Sequence, residues 1–216
     1  MFEKSVEELT ELGAQITTAE IAQQPELWRD TLNIYRENKE AIEAFLAEAR
    51  AMGEGRLSVV FTGAGTSDYV GDTCAPYLRH AGNTDLYDFK PIATTDIVSA
   101  PRDFLRAEDP TLVVSFARSG NSPESLAAVA VAKELVHNVK FLNITCAPEG
   151  KLAVESADDP NALTLLIPRA NDKGFAMTGS YSCMTLLSTL IFDTASDEQK
   201  AEWVETIAKM LSLIHI

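Results

Sequence analysis

The stretch that most constrains this chain runs from Thr111 to Ser125, TLVVSFARSGNSPES. Thr111 to Ser115 is apolar and β-branched, with no alternation of polar residues. Such a strand is covered on both faces, as in a parallel sheet between two layers of helices. Pro123 suits the first position of a helix, because its missing N–H would have no partner there. Ser119, Gly120, Asn121 and Ser122 therefore lie just before a helix N-terminus. That terminus carries unpaired N–H groups and a partial positive charge. Two readings of the loop stand at this point. Ser122 is an ordinary N-cap, or the crowded hydroxyls form a cradle for a phosphate.

The same strand–loop–helix pattern recurs along the chain. Leu57 to Thr62 reads as a first strand, followed by the tight loop Gly63-Ala64-Gly65-Thr66-Ser67 and a helix over 68–80. Further strands are expected at 86–92, 111–115, 139–145 and 163–167. Helices are expected at 123–135, 150–156 and 177–194, with a short helical stretch from Thr94 broken by Pro101. Strands alternating with helices imply βαβ units and a doubly wound, five-stranded parallel α/β sheet. Ahead of them, residues 1–55 read as a helical extension. Ser5 and Glu8 form a capping box. A turn or two over 18–24 precedes a long helix from Pro25, with Trp28, Leu32, Tyr35, Ile42, Phe45, Leu46 and Ala49 on one stripe. Gly53 and Gly55 end it. A second capping box, Ser196 to Gln199, opens a last helix through about Leu211.

Composition narrows the functional classes. The 216 residues are 46% hydrophobic, enough to fill one core. The formal net charge of -14 argues against a nucleic-acid surface or an anionic membrane surface, since both need basic patches. A phosphate ligand remains open, because local N–H groups and hydroxyls can hold one. No apolar run approaches the roughly 20 residues of a membrane span. Met1-Phe2-Glu3-Lys4 lacks the pattern of a signal peptide. Cys74, Cys146 and Cys183 are odd in number and widely spaced, which suits a reducing cytoplasm and no metal site.

In an open α/β sheet, ligands bind beyond the carboxyl ends of the strands. Gly63–Ser67 and Ser119–Ser122 both fall there. A dinucleotide fold competes for the first loop, but Asp68 stands where the third glycine of that fingerprint belongs. A hydrolase elbow fails because Ala117, not glycine, precedes Ser119 by two residues. Arg118 is either a phosphate partner or an exposed arginine after a strand. Asp96, with Thr94 and Thr95 before it, reads as part of a helix cap. A third segment, Asn171 to Thr178, follows the last strand and opens a helix. It is either a polar loop with a capping residue or a wall closing over a sugar, with Lys173 as a charge partner.

At GAGTS (63–67), ATTD (93–96), SFARSGNSPES (115–125) and FAMT (175–178), the sequence resembles sugar isomerase (SIS) domains. More closely it resembles the AgaS-type family of tagatose-6-phosphate ketose/aldose isomerases and galactosamine-6-phosphate deaminase/isomerases. The resemblance covers nearly the whole chain to about Met210. It implies a flavodoxin-like sheet, a SIS domain over residues 56–211 and a phosphorylated hexose or hexosamine as substrate. It implies no cofactor and no metal, and a homo-oligomer formed through SIS domains and N-terminal helices. By that resemblance Ser67, Ser119 and Ser122 hold the phosphate, within a site that takes in Gly65, Thr66, Arg118, Gly120, Asn121, Ala176 and Thr178. Arg118 replaces a polar residue found in the related glucosamine-6-phosphate synthase. In that synthase the glutamate base and ring-opening histidine come from a second domain and a neighbouring subunit, so the resemblance names no catalytic residue here. A regulatory SIS module that binds a phosphosugar without converting it is the alternative.

Family members carry two such domains. The final LSLIHI (211–216) matches the translation of a transposon-adapter end used in sequencing libraries. Residues 212–216 are therefore expected to be foreign, with the natural protein continuing beyond them.

Overall fold

A computed structural model describes residues 4–214. The chain begins with three helices, α1 (Val6–Glu11), α2 (Gln15–Glu37) and α3 (Lys39–Arg50). Strand β1 (Leu57–Gly63) leads to α4 (Asp68–Ala81). Then come β2 (Tyr87–Pro91), α5 (Thr94–Ser99), α6 (Pro101–Phe104), β3 (Thr111–Ala117), α7 (Pro123–Leu135), β4 (Val139–Thr145), α8 (Lys151–Ser156), β5 (Ala162–Leu166), α9 (Gly179–Phe192) and α10 (Asp197–Ile214). Of the expected foreign tail, residues 212–214 continue α10; the last two residues lie outside the described ones.

The five strands form one sheet in the order β2-β1-β3-β4-β5, every pair parallel. The inner strands β1 and β3 are mostly apolar because both their faces are covered, while the edge strand β2 carries Asp88 and Lys90 and is only partly buried. β1 and β3 are buried at all seven positions. Phe61, Val114 and Leu142 face α4, α9 and the N-terminal helices. Val60, Val113 and Phe141 face α5 and α7. On the first face Phe61, Phe89, Tyr87 and Phe192 pack as an aromatic cluster, with ring centroids 5.6–5.9 Å apart. Contacts of this kind contribute beyond simple area burial.

The N-terminal helices share this core. Leu27, Leu32 and Tyr35 of α2 and Ile42, Phe45 and Leu46 of α3 are buried with the sheet residues. Two expectations for this region are corrected. The turn at 18–24 and the helix from Pro25 are one continuous α2 with Pro25 inside it. Proline removes one helical hydrogen bond, but tertiary packing carries the helix through: Pro25 is buried, and Trp28 Nε1 donates to Ser182 Oγ of α9 at 3.0 Å. The long helix also breaks at Asn38, whose Nδ2 donates to the Ile34 carbonyl at 2.8 Å, and a separate α3 follows. Both capping boxes form as read, at Ser5 and Glu8 and at Ser196 and Gln199.

Candidate functional site

The strand order decides where a ligand can sit. α4 leaves β1 for one face and α7 leaves β3 for the other. β1 and β3 are neighbours, paired from Ser58↔Thr111 to Gly63↔Phe116. Their loops therefore diverge from adjacent strand ends, the switch point where open α/β sheets bind ligands.

The loop after β1 is shaped by close backbone contact. A Cβ on Gly63 would lie 2.4 Å from the Ser67 carbonyl carbon and 2.7 Å from the Asp68 nitrogen. Only glycine lets the chain fold back so tightly. Residues Gly65–Ser67 make a single 3-10 turn, with Gly65 at φ +59°, before α4 begins. Gly65 and Thr66 are exposed. Ser67 is buried, and its hydroxyl points to Met177 Sδ at 3.8 Å. Thr94 Oγ1 donates to the Gly63 carbonyl at 2.9 Å. Thr94 thus braces the glycine loop, and α5 has no side-chain cap. Burial, together with Asp72 and Asp96, holds the Asp68 carboxyl above its ordinary range.

The loop after β3 is held by side chains. Ser119 is exposed, and its Oγ accepts from the Asn121 N–H at 3.3 Å. Gly120 turns the chain at φ +65°. Asn121 Oδ1 accepts the Lys151 N–H at 3.0 Å, which ties the loop to the start of α8. Ser122 Oγ accepts the Ser125 N–H at 3.3 Å and lies 2.7 Å from Ser125 Oγ. The N-cap reading of Ser122 therefore holds; its one O–H is donated to Ser125 Oγ, and gripping an anion would require that rotor to turn to the ligand. Half-buried Arg118 donates from Nη1 to the Gly174 carbonyl at 2.9 Å.

The third segment, 171–178, is organised by Asp172. This buried carboxylate accepts the N–H groups of Thr178, Gly179 and Ser180 at 2.8–2.9 Å, and the Ser180 hydroxyl at 2.5 Å. It fills the N-terminus of α9 with the chain's own anion, a charge-assisted cap. Thr178 is half-buried, while Ala176 and the Lys173 side chain are exposed. Ser67 and Arg118 reach this segment from the first and second loops respectively, so all three pieces are joined.

No family model matches the chain. Whole-protein relatives do. The chain is 43% identical over 189 residues to a D-galactosamine-6-phosphate deaminase AgaS of Shewanella sp. (strain ANA-3), covering 87% of this chain and 48% of that protein. It is 39% identical over 178 residues to the D-galactosamine-6-phosphate deaminase AgaS of Escherichia coli, covering 82% of this chain and 45% of that one. The structure of tagatose-6-phosphate ketose/aldose isomerase from Escherichia coli superposes with a TM-score of 0.80 at 34% identity, covering 91% of this chain and 53% of that chain. Over the matched residues the chain is similar to AgaS-type galactosamine-6-phosphate deaminases and to the tagatose-6-phosphate isomerase fold. It spans about half the length of the curated relatives it matches.

The sequence reading anticipated the strand–loop–helix form of both loops and a capping residue within 171–178 without naming Asp172, and it did not single out Glu20. Glu20 of α2 is buried, and its Oε1 accepts the N–H groups of Lys173 and Gly174 at 2.7 and 2.8 Å. The N-cap position itself is Thr178, so local capping preference does not mark Asp172, which reaches the helix start only because the loop folds back. Nothing local marks Glu20, whose partners lie 153 and 154 residues away.

Proposed function

We infer that this chain is the phosphate-gripping SIS domain of a cytoplasmic enzyme acting on a hexosamine or ketose 6-phosphate. The observation that carries the reading is that two hydroxyl-bearing loops leave the carboxyl ends of the adjacent strands β1 and β3, each opening a helix. Thr66, Ser67, Ser119 and Ser122 supply hydroxyls there, while Gly65, Gly120 and the first turns of α4 and α7 supply backbone N–H groups. A phosphate is suited to such a place, since the dipole and the unpaired donors act together. Arg118 adds a guanidinium with donors to spare beyond its bond to Gly174. Asn121 serves the site by holding the second loop to α8. Ala176 and Thr178 line the sugar.

The reaction of the longer protein is ring opening, then proton transfer between C2 and C1 through an enediol or enolamine. In the deaminase form, water replaces nitrogen at C2 and ammonia leaves, so galactosamine 6-phosphate yields tagatose 6-phosphate. The grip on the phosphate orients the reacting carbons. The base belongs to the part of the relatives that this chain does not span. Self-association through SIS domains and N-terminal helices fits the exposed Val6 of α1, Leu12 just after it and Ile16 of α2.

Titration calorimetry with galactosamine 6-phosphate tests the site. The Ser119→Ala, Ser122→Ala double variant is expected to lose binding by about a hundredfold, two hydrogen bonds to a charged group at about 1.5 kcal/mol each. Unchanged binding would contradict the cradle. An ammonia-release assay on the intact-length gene product separates deaminase from isomerase. Binding without turnover by that product would favour the regulatory module.

A further inference from the structure

The geometry points to Glu20 as a positioning residue of the sugar site: from the N-terminal helices, with Arg118 on the other side, it clamps one residue of the wall segment, Gly174. Gly174 is held at both ends. Its N–H donates to Glu20 Oε1 at 2.8 Å, and its carbonyl accepts from Arg118 Nη1 at 2.9 Å. The preceding N–H, of Lys173, also donates to Glu20 Oε1, at 2.7 Å. Each bond has one charged partner, the strong kind of hydrogen bond. Asp172 pins the segment again at Thr178–Ser180. Phe175–Met177 is thereby an arch between two anchors, with the Phe175 side chain fully exposed and Met177 Sδ beside the Ser67 hydroxyl.

Two further observations say the clamp is built for this peptide. A Cβ on Gly174 would fall 2.9 Å from Glu20 Oε2 and 3.3 Å from Ile16 Cγ2, so any side chain there would push the Glu20 carboxylate from its place. Glu20 is 6% exposed, and its Oε2 is buried with no hydrogen-bond partner among the described residues. A buried carboxylate that leaves one oxygen unpaired is costly to keep for packing alone. Here it is oriented to serve two adjacent N–H groups. The N-terminal helices are therefore part of the binding site, acting through the arch and not by touching the ligand.

This inference rests on the sugar-phosphate reading, and its test separates the two. Amide exchange and ligand binding are measured on the chain as it stands, with Glu20→Ala, Glu20→Gln and Gly174→Ala. In Glu20→Ala, exchange around residues 173–174 is expected to rise about tenfold or more, from the loss of two charge-assisted bonds. Exchange in α4 and α7 stays unchanged. Affinity for galactosamine 6-phosphate falls about tenfold, while inorganic phosphate, held by the hydroxyl loops alone, binds as before. Gly174→Ala reproduces this loss with the carboxylate present, and Glu20→Gln, which keeps an acceptor, recovers most of it. Unaltered exchange at 173–174 in Glu20→Ala overturns the clamp, as does an equal loss of both ligands. A wild-type chain that binds no sugar phosphate refutes the function instead, and the exchange arm still decides the clamp.

Discussion

The loops after β1 and β3 occupy equivalent places at the switch point, yet they are made differently. The first is a backbone construction. Gly63 permits chain reversal against Ser67 and Asp68, and the exposed hydroxyl of Thr66 takes no part in holding it. The second is a side-chain construction. Ser119, Asn121 and Ser122 each spend an oxygen on a main-chain N–H of the loop, of α8 or of α7. In the first loop, Gly63 sets the shape and Thr66 is the exposed hydroxyl of the proposed cradle, so the two tasks fall on different residues. In the second, the residues proposed to meet the ligand also hold the loop. A substitution can therefore separate stability from binding in one loop and not in the other.

The sharpest way to break this contrast is Gly63→Ala. A Cβ 2.4–2.7 Å from backbone atoms cannot be relieved by a rotamer change, so a loss of about 3 kcal/mol is expected in urea unfolding. A loss under about 1 kcal/mol would show that the first loop relaxes freely. Ser122→Ala comes next. Loss of the N-cap is expected to cost about 1 kcal/mol of stability, and sugar-phosphate affinity should fall in the same variant. A fall in binding with no change in unfolding would sever the double role assigned to the second loop. Thr66→Ala should have the smallest effect on folding, within about 0.5 kcal/mol, because the residue is exposed. Its calorimetric affinity should nonetheless drop about tenfold, the worth of one hydrogen bond to a charged group. If Thr66→Ala unfolds early, the division of labour in the first loop is wrong.

Much of the fold was legible locally. The helix over Pro123–Leu135 and the strand over Val139–Thr145 begin and end where the apolar pattern, the proline and the turn residues put them. The first strand, the glycine loop and both capping boxes were readable for the same reason, since each signal and its partner lie within a few residues. The N-terminal region was less so. Pro25 signals a helix start, but burial against α9 overrides it, and the break at Asn38 rests on one side-chain bond within an otherwise helical pattern.

For the candidate site, the sequence by itself determined which residues carry hydroxyls and glycines at helix starts, because strand–loop–helix patterns are local. Tertiary structure alone decided how they are joined. It set β1 beside β3, aimed buried Ser67 at Met177 and gave Arg118 the Gly174 carbonyl. It also brought Glu20 across 154 residues to the neighbouring N–H. Such pairings follow from the packing of α2 against α9 and from the strand order. No local periodicity encodes them, since hydrogen-bond partners distant in the chain are selected only when the core closes.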